Sequence, residues 1–460
     1  MTAGGDALNL CADVVARARA AGADEAEAYF EDSTTRTIDA RAGALESVTT
    51  ASARGIGVRV LVGGALGYAS GTDLDAAARA DLAEQAVHLA RACAPDPARV
   101  LPDPALATTA DLAIFDPSLP DLPLDAILEL LTRAERAALA TDARIDTPHI
   151  ERYGQVVERV AVANSRGVSV STASTLCYLS LSMIARQDGD VERGYANMVA
   201  RSVGQLDPEA IGYRAARRAV TPIGGSPLST RRASVIFEPD VIAEMLRTLA
   251  EALAGDVIFR GRSLFAPRTD GADWIGRKIG SDAVTLIDDG ALPAAPGTLP
   301  FDGEGIPTQA TTLIEGGILR GVLHNCESAA RAGARSTANG ARANFRMAPE
   351  VGQTNLVLQP GTRAPAALVA SVDDGLYVVA TRNVGGISPV SGDYSVGASG
   401  RRIVNGELAE PVSGVTLAAP MLELLANVRE VGSDLRWVGG STGYVGCPTV
   451  LVDDVTIGGR

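Results

Sequence analysis

The sequence predicts an α+β protein with an N-terminal α/β domain of antiparallel sheets and helices, followed by a C-terminal, mostly-β domain shaped as a barrel or a sandwich. Two observations predict it. Residues 1–225 alternate helical stretches with apolar, strand-like runs, whereas residues 232–460 hold many short strand-like runs separated by glycine turns. Between these two regions the chain is rich in Pro, Gly and Ser, which is typical of a domain boundary.

The N-terminal domain contains two similar units, residues 1–95 and 122–222. The first is predicted to hold a helix at 6–21, strands at 26–39, 56–62 and 66–70, and a helix at 73–93. Gly63 and Gly64 form a tight turn between the last two strands, and Thr72 or Asp73 caps the closing helix. A proline-rich connector follows and is expected to be extended.

The second unit is predicted to hold a helix at 124–141, strands at 145–153, 156–164, 168–175 and 178–185, and a helix at 207–220. Asp207 is the expected N-cap of the last helix, with Pro208 at its first position. Because helix, strands and helix occur twice in this order, the pattern indicates a duplicated α+β unit.

The C-terminal domain is predicted to be mostly β. Its strands are expected at 284–288, 311–315, 318–324, 355–358, 376–381, 401–404 and 407–412, and its helices at 239–253, 365–372 and 420–431. The dipeptide Asn405-Gly406 is the strongest short hairpin signal in the chain. Many short strands with glycine turns favour a closed or sandwiched sheet.

Composition and charge limit the classes of function. Hydrophobic residues make up 46% and charged residues 21%, which is typical of a folded globular protein. The net charge is −14, so a nucleic acid is not an expected partner. Residues 1–10 lack a signal-peptide pattern, and no apolar run is long enough to cross a membrane, so we expect a cytoplasmic protein with no membrane partner. Five scattered cysteines without a Cys-x-x-Cys pair indicate neither a disulfide framework nor a zinc knuckle.

Four segments of the C-terminal half carry a resemblance to a known family. They are Pro300-Phe301-Asp302-Gly303-Glu304-Gly305, the run 325–337, the run 391–400 that begins Ser391-Gly392-Asp393-Tyr394-Ser395, and the ending from Gly432-Ser433-Asp434 to Pro448-Thr449. Together they resemble the TldD/PmbA family, also called the modulator of DNA gyrase family. The resemblance covers residues 234–459 and extends more loosely through the N-terminal half.

One branch of that family, TldD, is a zinc metallopeptidase with His-Glu-x-x-x-His on a helix and a late Cys-Gly as a further ligand. By the resemblance, Glu238 and Ala243 stand where the two histidines would be, Pro239 replaces the glutamate, and Gly432-Ser433 occupies the place of the Cys-Gly pair. Zinc hydrolysis needs three protein ligands and a general base. Since alanine cannot ligate and proline cannot act as a base, the resemblance implies the TldE/PmbA-like branch, with no metal, cofactor or catalytic residue in this chain.

The resemblance also implies a function and a partner. The chain is expected to be the non-catalytic subunit of a heterodimer with a TldD-like zinc peptidase, which would hold the zinc and cleave peptides or peptide-like precursors. Two alternatives remain open. One is a homodimeric peptide-binding or scaffold protein, and the other is a zinc-independent hydrolase that uses Cys447 or a serine.

Four polar residues on glycine-rich turns are candidate cleft or peptide-binding residues. Asp302 and Glu304 form an acidic pair that could bind a peptide amine, a cation or a partner's arginine. Asp393 and Ser395 lie in a segment that could shape a cleft. The ordinary interpretation of such residues is that they stabilise turns through hydrogen bonds to the backbone.

Three further residues are candidate metal ligands. His324 and Cys326 alternate along a predicted strand, so both side chains could face one side, and Cys447 could join them. The ordinary interpretation of both cysteines is a buried thiol that packs as a small hydrophobe.

Overall fold

The computed structural model describes residues 3–105, 111–267, 273–440 and 443–459. Its N-terminal part is a six-stranded antiparallel sheet in the order β3-β2-β1-β4-β5-β6, with helices from both units. In chain order these elements are α1 (Ala3–Ala20), β1 (Glu25–Arg41), β2 (Ala44–Val62), β3 (Ala65–Gly71), α2 (Ala76–Arg91), α3 (Leu124–Leu139), β4 (Ile145–Asn164), β5 (Ser169–Gln187), β6 (Asp190–Ala200) and α4 (Pro208–Val220). The sheet is curled, and it confirms the α+β class.

Each predicted unit contributes three adjacent strands and two helices to this sheet, and β1 pairs with β4 where the units meet. In both units a glycine of the third strand lets a helix backbone approach closely. A Cβ at Gly67 would lie 2.0 Å from the Ala86 carbonyl oxygen of α2, and one at Gly194 would lie 2.0 Å from the Ala215 carbonyl oxygen of α4. This correspondence supports the duplication, which stays a prediction.

Strand boundaries in the second unit differ from the prediction. The break expected after Tyr153 is absent, and β4 continues through Gly154. That glycine makes room for a neighbouring ring, because a Cβ there would lie 2.2 Å from Cζ of Tyr178. The prediction also missed β6, although the Asp188-Gly189 turn before it has positive φ at both residues, as a two-residue hairpin requires.

The helix caps give one confirmed and one wrong prediction. Asp207 caps α4 by accepting a hydrogen bond from the Ala210 N–H at 2.9 Å, and Pro208 begins the helix. In the first unit neither Thr72 nor Asp73 is the cap. Asp75 accepts from the Ala78 N–H at 2.7 Å instead, so α2 begins three residues later than predicted.

The C-terminal part contains a small β-barrel and a second, mixed sheet. Its helices are α5 (Pro239–Ala252), α6 (Gly255–Phe259), α7 (Cys326–Ala332), α8 (Pro365–Val369) and α9 (Met421–Ala426). Its strands are β7 (Arg231–Phe237), β8 (Leu286–Asp289), β9 (Ala310–Glu315), β10 (Ile318–Leu319), β11 (Gly340–Ala341), β12 (Glu350–Val351), β13 (Asn355–Leu358), β14 (Asp374–Arg382), β15 (Asp393–Val404), β16 (Glu407–Pro420), β17 (Val428–Val431), β18 (Arg436–Gly440), β19 (Gly443–Cys447) and β20 (Val450–Gly458).

Closure of the barrel decides between the two predicted shapes. The strands run in the order β16-β15-β14-β7-β20, and a further pairing of β16 with β20 closes the ring. A closed ring leaves no unpaired edge for another chain to join. The hairpin predicted at Asn405-Gly406 connects β15 to β16, with φ of 50° and 79° at its two residues.

Two predicted helices of this part are shorter in the structure, and the one expected at 365–372 ends as α8 at Val369. The helix expected at 420–431 ends as α9 at Ala426, and its last residues form β17. Pairing with β20 along the barrel accounts for the difference, because Val428 and Val431 are buried there. Tertiary packing has overridden local helix propensity at this position.

Part of the N-terminal sheet is covered on both faces, as β4 illustrates. Ala161 and Ala163 belong to the core under α1 and α2. Val160 and Val162, which point the other way, pack with Phe301 of the C-terminal part. No helix within the described ranges is long and apolar enough to cross a membrane.

Candidate functional site

The segment that the resemblance aligns with the zinc motif begins where β7 leads into α5. Pro239 occupies the first helical position, where its missing N–H loses no intrahelical bond, and Asp240 lies in the first turn, where the helix dipole favours an anion. Glu238 is the N-cap residue but makes no side-chain capping bond. The helix buries an apolar face that needs no metal to explain it: Val241, Ile242, Met245, Leu246 and Leu249.

The carboxylate of Glu238 is held by arginines of α4. Arg218 donates from Nε and Nη2 to Oε2 at 3.2 and 3.0 Å, and Arg217 donates to Oε1. The Tyr377 hydroxyl also donates to Oε1, at 3.0 Å. Only 3% of Glu238 is exposed, and a carboxylate buried to this degree needs such partners.

Asp240 extends this ion-pair network. Arg218 donates to its carboxylate as well, and Arg436 lies 3.9 Å away. Burial alone would raise the pKa of Asp240, but the charge and hydrogen bond of Arg218, together with the charges of Arg436 and Arg214, outweigh it and lower the pKa to about 2. The Asp240 carboxylate is therefore charged throughout the physiological pH range.

These residues do not fit a catalytic zinc ion. Pro239 and Ala243 have no side-chain donor atom, and both oxygens of Glu238 already accept hydrogen bonds from arginines. Over the described ranges no cluster of three or more His, Cys, Asp or Glu is arranged to hold a metal. What the local chemistry supports is a structural junction between α4 and α5.

Cys447 lies beneath the start of α5. Its Sγ donates to the Pro239 carbonyl oxygen at 3.1 Å, and the side chain is fully buried. Burial raises the pKa of this thiol, which disfavours the thiolate that nucleophilic attack requires.

The predicted strand that would align His324 with Cys326 does not exist in this form. It ends at Leu319, and Cys326 begins α7, because Asn325 caps that helix by accepting from the Ser328 N–H at 2.9 Å. The His324 ring is 3.1 Å from the Ser328 hydroxyl, and burial lowers its pKa. The Cys326 N–H donates to Glu304 at 2.7 Å.

Asp302 and Glu304 occupy different environments on their shared turn. Asp302 accepts from the N–H groups of Glu304, Ile306 and Gly340 at 2.9, 3.0 and 2.8 Å, and it lines a cavity. Burial, and then the charge of Glu304, raise the pKa of Asp302. Glu304 is 0% exposed and accepts from Arg59 of β2 at 3.0 Å, so its carboxylate joins the C-terminal turn to the N-terminal sheet.

Asp393 and Ser395 lie at the start of β15, exposed to solvent. Asp393 accepts from the Ser391 hydroxyl at 2.5 Å, which stabilises the turn before the strand. Tyr394 between them is buried, so the strand alternation points both polar side chains outward. No hydrogen bond or ion pair within the described ranges brings them together with Asp302 or Glu304.

A cavity of about 410 Å³ separates the N-terminal sheet from the C-terminal loops. The sheet contributes Glu158 of β4, and Arg201 follows β6. The opposite wall carries Asp302, Gln353 and Tyr444. Sequence reasoning singled out only Asp302 of these residues, since the others belong to no motif and meet only where the N-terminal sheet packs against the C-terminal loops and β19.

Comparison with known proteins agrees with this fold. Family models describe residues 26–90 as the PmbA/TldA metallopeptidase domain 1, residues 117–221 as its central domain and residues 230–459 as its C-terminal domain. The chain is 31% identical to metalloprotease PmbA of Escherichia coli O157:H7 over 442 residues, which cover 95% of this chain and 93% of that protein.

Solved structures show the same fold. TldE from Thermococcus kodakarensis superposes with a TM-score of 0.86 at 23% identity, covering 97% of this chain and 99% of that one. A DNA gyrase modulator candidate from Thermotoga maritima gives a TM-score of 0.85 at 23% identity, covering 96% and 98% of the two chains. The domain models and the similarity to PmbA together establish that this chain belongs to the PmbA/TldD metallopeptidase family.

Proposed function

We propose that the chain is a non-catalytic, TldE/PmbA-like subunit that forms a heterodimer with a TldD-like zinc peptidase. One observation carries the proposal. Where the zinc motif of the peptidase branch would place its ligands and base, this chain has Glu238, Pro239 and Ala243, and the Glu238 carboxylate is engaged by Arg217 and Arg218.

The surrounding charge supports the same conclusion. A divalent cation beside Glu238 would lie close to the positive guanidinium groups that already neutralise the carboxylate, and Coulomb repulsion would oppose its binding. Cys447 does not offer a replacement chemistry, because its thiol is buried and its pKa is raised.

In this proposal the partner holds the zinc and cleaves the peptide. The present chain completes the chamber around the metal, helps to hold extended peptides and stabilises the active partner, in the cytoplasm. None of its residues attacks the amide. The substrates are small peptides or peptide-like precursors.

Purification of the chain alone and after co-expression with a TldD-like protein tests the proposal. We expect no stoichiometric zinc and no peptidase activity from the lone chain, and both from the co-purified heterodimer. Stoichiometric zinc with proteolysis by the lone chain would refute it. A stable homodimer that does not bind the peptidase would instead favour a scaffold protein.

A further inference from the structure

The cavity between the N-terminal sheet and the C-terminal loops is lined by two side chains of opposite charge, Glu158 and Arg201, and neither uses all of its hydrogen-bonding capacity within the protein. Glu158 lies on β4 opposite Ser33 of β1 and Ser174 of β5, so its side chain leaves the sheet on the side of the C-terminal loops. It makes no hydrogen bond or ion pair with any residue in the ranges that the structure describes. A carboxylate on a cavity wall without a partner is able to accept hydrogen bonds from a ligand.

Arg201 supplies the positive charge, and its position is rigid. Its Nε, Nη1 and Nη2 donate to the carbonyl oxygens of Ala295, Thr175 and Thr298, and only 5% of the residue is exposed. A guanidinium has five N–H groups, so two remain for a ligand. Its bonded partners are neutral carbonyl groups, which leaves the full positive charge available to an anion.

Glu158 and Arg201 interact electrostatically across the cavity, yet no direct bond joins them. Burial raises the pKa of Glu158 to about 7, the charge of Glu31 adds to this effect, and Arg201 opposes it. Burial lowers the pKa of Arg201 to about 10. A ligand group of opposite charge would therefore stabilise the ionised form of each side chain.

The remaining wall is suited to an apolar side chain next to these charges. Leu176, Leu299 and Phe301 line the cavity, and the volume of about 410 Å³ lies within the roughly 300–1,000 Å³ of small-ligand sites. The Gln353 amide also lines it, and neither its oxygen nor its nitrogen has a hydrogen-bond partner among the described residues.

These features select one class of ligand. A phosphate or nucleotide would bring several negative charges against Glu158, and a simple cation would be repelled by Arg201. A group that has a carboxylate and an N–H donor on the same carbon satisfies both residues. An apolar substituent on that carbon would fill the rest of the cavity.

We propose that this cavity binds an α-amino-acid unit. The carboxylate of the unit accepts hydrogen bonds from Arg201, and its α-nitrogen donates a hydrogen bond to Glu158. Its apolar side chain packs against Leu176, Leu299 and Phe301. Both the carboxy-terminal residue of a peptide and a free amino acid present this chemistry. The choice of ligand class rests on the proposed role in peptide cleavage, and it assigns this subunit a direct contact with peptide ends.

Calorimetric titration of the purified full chain, without a peptidase partner, tests the site. The probes are Ala-Ala-Leu, its carboxy-terminal amide and free leucine. We expect Ala-Ala-Leu to bind and the amide to bind at least tenfold more weakly. Binding of leucine as tight as that of the tripeptide would identify the free amino acid as the ligand within the same proposal. No binding of either acid, or equal binding of the acid and the amide, would overturn it.

The variant Glu158→Gln keeps the size of the side chain and is expected to weaken binding of the acid tenfold or more. The matched control is Glu129→Gln, an exposed position of α3 that makes no contact with the cavity and should leave binding unchanged. Equal affinity of Glu158→Gln and the wild type would refute the assignment. Because the titration uses the lone chain, its failure leaves the proposed heterodimer untouched, and failure of the heterodimer leaves the titration valid.

Discussion

The guanidinium of Arg218 on α4 lies 3.0 Å from the carboxylate of Glu238 at the start of α5, and both side chains are buried. Two segments that are separated by the predicted domain boundary are thereby joined by a buried ion pair, at the position that the resemblance aligns with the zinc motif. Substitution of Arg218 measures how much this ion pair contributes to the stability of the fold.

Arg218→Ala should be strongly destabilising. It leaves Glu238 with Arg217 and Tyr377 only and removes the main partner of Asp240, so we expect a loss of about 3 kcal/mol in the free energy of unfolding. Urea denaturation followed by circular dichroism measures it. Arg133→Ala breaks an exposed pair with Glu209 and is the control, with an expected loss below about 1 kcal/mol. An equal loss in the free energy of unfolding of the two variants would contradict the expectation that the buried ion pair stabilises the fold more than the exposed one.

Stability should fall as the pH rises from about 4.5 to about 7, in part because of Glu151. Burial, followed by the charge of Glu135, raises the pKa of Glu151 from 4.5 to about 7 in the folded state. The folded chain therefore binds more protons than the unfolded chain in this window, and stability that is complete below pH 4.5 is lost as the pH passes 7.

Glu151→Gln should flatten this pH dependence and raise the melting temperature at pH 8. At about 1.4 kcal/mol per pKa unit, the effect is up to about 3 kcal/mol. Glu84→Gln, at an exposed position of α2 that does not contribute to the pKa of Glu151, is the control. An unchanged slope of melting temperature against pH in Glu151→Gln would show that another group is responsible.

Gly194→Ala should disrupt the packing of α4 on the sheet. The new Cβ would lie 2.0 Å from the Ala215 carbonyl oxygen and 2.3 Å from the Ala219 nitrogen, and these backbone atoms cannot move without shifting the helix. We expect a loss of about 1–3 kcal/mol in thermal or urea denaturation. Gly204→Ala, whose Cβ would meet nothing within 4 Å, should change stability by less than about 0.5 kcal/mol.

Cys447→Ala should leave the peptidase activity of the co-purified heterodimer within twofold of the wild type. The thiol is fully buried against the Pro239 carbonyl, and burial raises its pKa. Peptide cleavage by the heterodimer, with melting temperature as a check on folding, provides the measurement. Loss of activity in a variant that folds normally would favour the alternative hypothesis of a cysteine-dependent hydrolase.

Local sequence was sufficient for those elements whose signals are local. Turn chemistry predicted the hairpin at Asn405-Gly406, capping preference predicted the Asp207 N-cap, and helical periodicity predicted the buried helix α5. The structure confirms all three. The missed β6 also had a local signal in its Asp188-Gly189 turn. No local signal predicted that β4 continues through Gly154, because that glycine makes room for the Tyr178 ring on the neighbouring strand.

The residues aligned with the zinc motif also have features that the sequence predicts and features that only tertiary packing decides. The resemblance aligned Glu238, Pro239 and Ala243 with the zinc motif and, through the chemistry of their side chains, predicted no zinc site at these positions. It left open what Glu238 does instead, since the carboxylate meets Arg217, Arg218 and Tyr377 only after α4, α5 and β14 have packed.

By itself, then, the sequence determined the α+β class and the family, because these depend on residue type and on spacing along the chain. The loss of the metal ligands that the resemblance implies stays a prediction. Tertiary structure alone decided that the C-terminal strands close into a barrel and that Glu158, Arg201 and Tyr444 face one cavity. The reason is physical: residues far apart in the chain become neighbours only when the sheet buries its second face against the C-terminal loops that carry Phe301 and Phe345, and no local pattern encodes that contact.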